Sequence, residues 1–346
     1  MSFPWNLYVA AVLGAAAVSA LSLPLWRRWC LRTGLMDDPG HRKIHEEPIP
    51  LAGGLAVATG LIVPTLAAAL FLWLMAPGYG SRILSQAAVM PGATEPTNAN
   101  AQFLLRYGLN RRALELGGIL AGALGMLVVG FWDDRRELSP APKFLSQFLV
   151  ALLVAASGAR ITLFVPNPLF HYAVTILWVL TVVNAFNFMD NMNGLCTGLG
   201  AIGAWFFATI ASLQGQYLVG LIAFLTLGSL IGFLPFNFPR AKAFLGDAGS
   251  HMVGYLLAVL AILPHFYTRR HPHRWAVLIP LLVLAVPLAD MVWVVLLRSS
   301  KGKPFYVGDT NHLSHRLVRA GLSRTKAVLT IWILALAIGA LSYLLL

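Results

Sequence analysis

The sequence predicts an all-α, polytopic integral membrane protein of about ten transmembrane helices, with both termini outside and its working loops on the cytoplasmic face. Three observations carry that prediction. Hydrophobic residues make up 58% of the 346 and charged residues only 11%, and the mean hydropathy is +0.74, more than a water-soluble domain of this length tolerates. Apolar runs near the roughly 20 residues that a spanning helix needs recur along the whole chain. The ionisable residues, finally, gather in the polar segments on one side of those runs.

The runs fall at 5–26, 52–75, 113–131, 143–158, 170–187, 195–213, 217–234, 249–264, 275–297 and 326–346. No basic stretch precedes the first, and Arg27, Arg28 and Arg32 follow it, so it reads as a retained helix with its amino end outside. Counted from there, segments 27–51, 132–143, 188–194, 235–248 and 298–326 lie inside and hold 17 of the 25 Lys and Arg. The basic segment 265–274 dissents by falling outside. A net charge of +12 thus becomes mostly a cytoplasmic basic surface, suited to the bilayer's anionic lipids and to phosphate, and no nucleic-acid-binding motif accompanies it. Of thirteen acids, only Glu95, Glu115 and Asp290 lie away from the inside loops or their mouths. The chain reads as one transmembrane catalytic domain, 1–346, with 76–112 an external loop rich in Pro, Gly, Asn and Ser. Cys30 and Cys196 are far apart and outside any metal-ligand spacing, which suggests neither a disulfide framework nor zinc.

Chemistry is concentrated in the inside segments. The first contains Arg42, Lys43 and His45, followed by Pro48, Pro50 and Gly53-Gly54; prolines stiffen the loop and glycines permit close helix approach, so it is either a basic anchor or a grip for a diphosphate. Asp133 and Asp134 close the apolar run that starts near Leu114, where a carboxylate is costly and asks for a function. Neighbours on a helix point about 100° apart, so the two should divide labour, or else cap the next helix or pair with Arg135 and Arg136. Lys143 then opens the following run, to meet a lipid phosphate or to snorkel.

Asn184 to Leu195 interrupts two apolar runs with four Asn, one Asp and no base. Helical spacing puts Asn187 and Asp190 on one face and continues it to Asn193, a set of oxygen donors that suits Mg²⁺ and a nucleotide, or that serves as interhelical hydrogen-bonding glue. Asp247, between Gly246 and Gly249, opens another run; the helix start there offers N–H groups to a phosphate while Asp247 holds a metal, or Asp247 merely caps. Asp290, inside the ninth run, should pair with a buried polar partner. His312 and His315 are i and i+3, so on a helix both face one diphosphate; zinc is disfavoured because no further ligand completes a set.

These motifs, in order, are Arg42 to Gly54, Asp133-Asp134, Asn184 to Gly194, Gly246-Asp247-Ala-Gly-Ser250 and His312-Leu-Ser-His315 running to Gly321. Together they resemble the bacterial polyprenyl-phosphate N-acetylhexosamine-1-phosphate transferases, a family that includes phospho-N-acetylmuramoyl-pentapeptide transferase. The resemblance implies transfer of a sugar 1-phosphate, GlcNAc 1-phosphate by the Arg-Lys-x-His and paired-proline pattern, from a UDP-N-acetylhexosamine to undecaprenyl phosphate in the bacterial inner membrane. It implies Mg²⁺, with Mn²⁺ as an alternative, on Asn187 and Asp247. Asp133, Asp134, Asp190 and His312 are the implied catalytic set, and Lys43, His45, Lys143, Asn193, Arg298 and His315 the implied substrate contacts. A homodimer is compatible with it. The chain departs from the usual Asp-Gly-x-Asp-Gly with Asp190-Asn-Met-Asn-Gly194, and from the usual His-x-His-His with Ser314.

Other functions fit less well. A transporter should carry ionisable groups near midplane and internal repeats, whereas these acids gather at one face. The Asp-Gly motif of CDP-alcohol phosphotransferases is missing, and no Gly-x-Gly-Asp setting marks an intramembrane aspartyl protease.

Overall fold

The computed structural model describes residues 4–38, 47–74, 112–264, 266, 274–304, 306 and 310–346. Its helices are α1 (Trp5–Thr33), α2 (Gly53–Leu74), α3 (Ala113–Arg136), α4 (Pro140–Ser157), α5 (Pro168–Met189), α6 (Leu195–Leu213), α7 (Tyr217–Asn237), α8 (Gly246–Leu260), α9 (Ile279–Val283), α10 (Ala285–Ser300), α11 (Leu313–Arg319) and α12 (Arg324–Ala340). Among the described residues, eight helices are long and apolar enough to cross a membrane: α1 to α7, and α12 with the 3₁₀ turn Leu341–Leu345 that follows it. The protein is polytopic and helical. One small antiparallel ladder, β1 (Met36–Asp37) with β2 (Ile49–Pro50), adds two strands to the expected all-α fold.

Two of the ten expected runs take another form. Run 275–297 is broken into a 3₁₀ turn, Arg274–Leu278, then α9 and α10, bent by 71°, so it counts as a ninth span only if the bent pair is one. Run 249–264 becomes α8, which has 15 residues. At 1.5 Å per residue that is about 22 Å, short of a hydrocarbon core of about 30 Å. Its length is tolerated because protein rather than lipid surrounds it: every residue of α8 except Asp247 is buried. The short run 143–158, by contrast, is a full helix, started early by Pro140 and Pro142, whose fixed φ suits a first turn. The 76–112 loop lies outside the described residues except for Arg112.

Close packing around α8 is made possible by glycine. A Cβ on Gly54 of α2 would lie 2.8 Å from the Gly249 Cα, and one on Gly254 would lie 2.8 Å from the Val183 Cα of α5. Gly130 of α3 lets that helix rest on the Asp247 carbonyl, and Gly200 of α6 meets Val253. Small residues at such crossings let backbones approach and gain van der Waals contact where no hydrophobic drive separates protein from lipid. The expected role of Gly53-Gly54 is met here: the Gly53 and Gly54 N–H groups also donate to the Phe244 and Leu245 carbonyls, at 2.9 and 3.0 Å, which pins the start of α2 to the entry of α8.

Gly54→Val should therefore destabilise the fold by about 1–3 kcal/mol, the usual cost of overpacking. Gly14→Ala, at a position with nothing within 4 Å of a Cβ, should leave stability unchanged. Thermal unfolding of the two detergent-purified variants measures the difference.

Candidate active site

The five segments expected inside meet at one end of the helix bundle. There they wall a cavity of about 1170 Å³, lined among others by Asp37, Asp133, Asp134, Lys143, Asp190, Asn193, Arg240, Asp247, His315 and Arg324. Residues more than 280 positions apart in sequence thus face one space.

Its floor is a charged cluster. α3 ends on Glu137 in a left-handed conformation, whose N–H donates to the Asp133 carbonyl, while the Leu138 N–H donates to Asp133 Oδ1, both at 2.8 Å. The chain therefore turns tightly into α4 and brings Lys143 back over Asp133. Lys143 Nζ lies 2.5 Å from Asp133 Oδ2, 3.3 Å from Asp247 Oδ2 and 3.4 Å from Asn187 Oδ1. Asn187 in turn donates through Nδ2 to Asp247 Oδ1 at 2.5 Å and to Ser250 Oγ at 3.0 Å. Two carboxylates and an amide oxygen from three helices converge on one ammonium. Carboxylate and amide oxygens are the donor chemistry that a hard cation such as Mg²⁺ takes, and Asp247 and Asn187 would be the residues to hold it. Among the described residues, no group of three His, Cys, Asp or Glu side chains stands ready to hold a metal unaided.

Asp134 faces elsewhere. Its Oδ1 and Oδ2 accept the Asp247 and Ala248 N–H groups at 2.7 and 3.0 Å. The adjacent acids have different partners, and the helix that Asp134 caps is α8, over 110 residues away, rather than the next one. The expected phosphate site at the α8 amino end is corrected by this contact, because a side-chain carboxylate already takes those donors. Gly246, at φ 72°, could not carry a side chain beside it, since a Cβ would meet Asp134 Oδ2 at 2.8 Å.

Nor does the Asn187, Asp190 and Asn193 set form one helical face. α5 stops at Met189, Asp190 is its cap, and Asn193 sits in the turn before Gly194, at φ 74°. Asn193 Nδ2 donates to the Pro239 carbonyl at 3.2 Å. Buried Asn237 accepts from the Gly194 N–H at 3.0 Å and the Thr197 hydroxyl at 2.9 Å, and donates to the Ala243 carbonyl at 3.0 Å. That one amide locks the two loops together. Asn184 is interhelical glue, donating to Gln147 Oε1 at 2.8 Å. Asp190 lines the cavity and is partly buried, and burial holds its carboxyl well above the ordinary 3.8; Asp247, Asp134 and Asp37 push it the same way, against the hydrogen bond it accepts from the Gly246 N–H.

Asp290 finds the buried partner expected of it. Its Oδ2 lies 2.6 Å from His312 Nδ1 and its Oδ1 accepts the Leu313 N–H at 2.6 Å. His312 precedes α11 in extended backbone and is buried, so it shares no helical face with His315 and does not line the cavity. His315 does line it. Burial, and then His312 and Arg319, lower the His315 pKa from 6.5, so at neutral pH it is an uncharged imidazole. Arg298 is buried with its guanidinium 5.0 Å from the Phe188 ring centre, off the cavity wall. Lys43 and His45 lie outside the described residues. Arg240 and Arg324, which sequence reading did not single out, are on the wall; membership of the inside segments was their only signal. The two departures from the usual motifs also touch, Ser314 Oγ donating to Asn191 Oδ1 at 2.7 Å.

The profile of glycosyl transferase family 4 matches residues 116–265. A probable undecaprenyl-phosphate N-acetylglucosaminyl 1-phosphate transferase of Bacillus subtilis is 28% identical, over 95% of this chain and 82% of its own. The decaprenyl-phosphate N-acetylglucosaminephosphotransferase of Mycobacterium leprae is 30% identical, over 88% of this chain and 75% of its own. A phospho-N-acetylmuramoyl-pentapeptide-transferase of Limosilactobacillus fermentum is 30% identical over 66% and 72% respectively.

A carboxyl whose pKa is raised by folding is a burden that grows as pH climbs above its unfolded value. Asp190→Asn should therefore raise the melting temperature at pH 7, and the gain should shrink to nothing as pH falls towards 3.8. Melting curves of both proteins between pH 4 and 8 measure it.

Proposed function

The chain belongs to glycosyl transferase family 4, and on that premise we propose that it transfers GlcNAc 1-phosphate from a UDP-sugar to undecaprenyl phosphate, releasing UMP. The observation that carries this reading is the Lys143 cluster, a cation held by Asp133 and Asp247 at the end of a spanning bundle, where a lipid phosphate and a soluble nucleotide can both arrive. The GlcNAc branch is favoured because the two relatives named for N-acetylglucosamine align over 88% and 95% of the chain, the pentapeptide relative over 66%. In this reading all ten spans exist, α8 and the bent pair included, and the cavity opens to the cytoplasm of a bacterial inner membrane. The product would open an envelope polysaccharide.

Chemically, an acceptor phosphate oxygen attacks the phosphorus that bears the sugar. A new diphosphate bond forms as the old one breaks towards UMP, so bond types are conserved. Lys143 would leave its carboxylates to meet the acceptor phosphate, and Asp133, already at hydrogen-bond distance from that ammonium, would take a proton from a monoanionic acceptor. Asp134 would act through α8 by fixing the Asp247 backbone. Asp190 and Asn193 would face the nucleotide-sugar, and neutral His315 would donate a hydrogen bond to its diphosphate. Mg²⁺, or Mn²⁺, held by Asp247 and Asn187, would supply charge neutralisation for two anionic reactants. Positioning does the rest.

Purified protein given undecaprenyl phosphate, Mg²⁺ and a panel of UDP-N-acetylhexosamines should release UMP most rapidly with UDP-GlcNAc, and Asp247→Ala should abolish that release while remaining folded. No UMP from any donor would sink the reading. Lys143→Ala should raise the KM for the lipid phosphate about tenfold or more, the loss of a charge-assisted hydrogen bond of about 1.5–3 kcal/mol. An equal rise in the UDP-sugar KM would count against the assigned contact.

A further inference from the structure

α11 has only seven residues, too few to hold a place by helix propensity. Its position must come from tethers, and two stand out. Asp290 of α10 receives the first N–H of α11, that of Leu313, and the His312 imidazole. The Ser314 hydroxyl, fully buried, donates to Asn191 Oδ1 at 2.7 Å, and Asn191 Nδ2 donates to the Phe188 carbonyl at 2.6 Å, which fixes the amide's orientation. Asn191 adjoins Asp190 and lies two residues from Asn193, while Ser314 adjoins His315. All three of these neighbours face the cavity.

We propose that the Asn191–Ser314 hydrogen bond is the joint that positions His315 against the donor side of the cavity, Asp290 fixing the start of the same helix. This rests on the reading that His315 meets the donor diphosphate. Ser314, buried and off the cavity wall, is then a positioning residue whose effect passes through His315, and Asn191, which itself lines the cavity, is its partner in the joint. The joint is specific in direction. It ties α11 to the loop between α5 and α6, and neither partner touches Lys143 or Asp133, so the acceptor side should not sense its loss.

A double-mutant cycle tests this. Asn191→Ala and Ser314→Ala should each raise the KM for the UDP-sugar roughly three- to tenfold, the worth of one neutral hydrogen bond. The KM for the lipid phosphate should not change, and the double variant should be no worse than the weaker single one. In a His315→Ala background, Asn191→Ala should add nothing. Multiplicative effects, or an equal rise in the acceptor KM, would overturn the joint. A readout independent of turnover is maleimide labelling of a His315→Cys variant, since both native cysteines are buried. Its rate should rise when Asn191→Ala is added, and an unchanged rate would also overturn the proposal. If the wild-type protein released no UMP, the assigned reaction would fall, and labelling would still decide the joint.

Discussion

The ammonium of Lys143, between Asp133 and Asp247, is the interaction on which the rest of the site depends. Charges brought this close inside a protein are tolerable only as a balanced set with satisfied hydrogen bonds, because an unpaired one carries a desolvation cost of several kcal/mol. Each neighbouring feature serves that balance. The Glu137 turn and the early prolines of α4 deliver the lysine, Asn187 orients the Asp247 carboxylate, and Asp134 holds the backbone from which Asp247 projects. Glycines at the α8 crossings let α2, α3, α5 and α6 come near enough for this to happen.

Around that cluster the cavity is polarised. Asp37, Asp133, Asp134, Asp190 and Asp247 crowd one region, and the upward push on Asp190 comes from its burial and then from Asp247, Asp134 and Asp37. Arg240, Arg324 and His315 supply the opposite character. A substrate with a phosphate-rich end can bind such a space only if cations mediate at the acidic pole and guanidinium or imidazole donors receive it at the other. This division is the electrostatic reason that a phosphoryl transfer between two anions is a natural use of the fold.

The third element is indirect. His312 and Arg298, expected at the substrate, lie in a buried layer behind the wall with Asp290, His312 bonded to Asp290 and Arg298 stacked on Phe188. Their work is to hold side chains that do face the cavity. A histidine in an expected motif can therefore be a strut, and the neighbour three residues on the group that meets solvent.

The sequence by itself determined that the chain crosses a membrane several times and that most of its acids and bases fall in segments which gather at one end of the bundle. Hydropathy and charge sign are local properties, readable residue by residue, and the insulating bilayer makes them decisive. What only the tertiary structure decided is where side chains point once separate helices meet. Period alone put Asn187, Asp190 and Asn193 on one face, but α5 ends at Met189, and the turn that follows is tied at Gly194 to Asn237, 43 residues beyond it. The α8 helix start looked like a phosphate site until Asp134 arrived from over 110 residues away to fill it. Hydrogen bonds between distant segments carry no periodic signature, since any donor can meet any acceptor that the packing brings within reach.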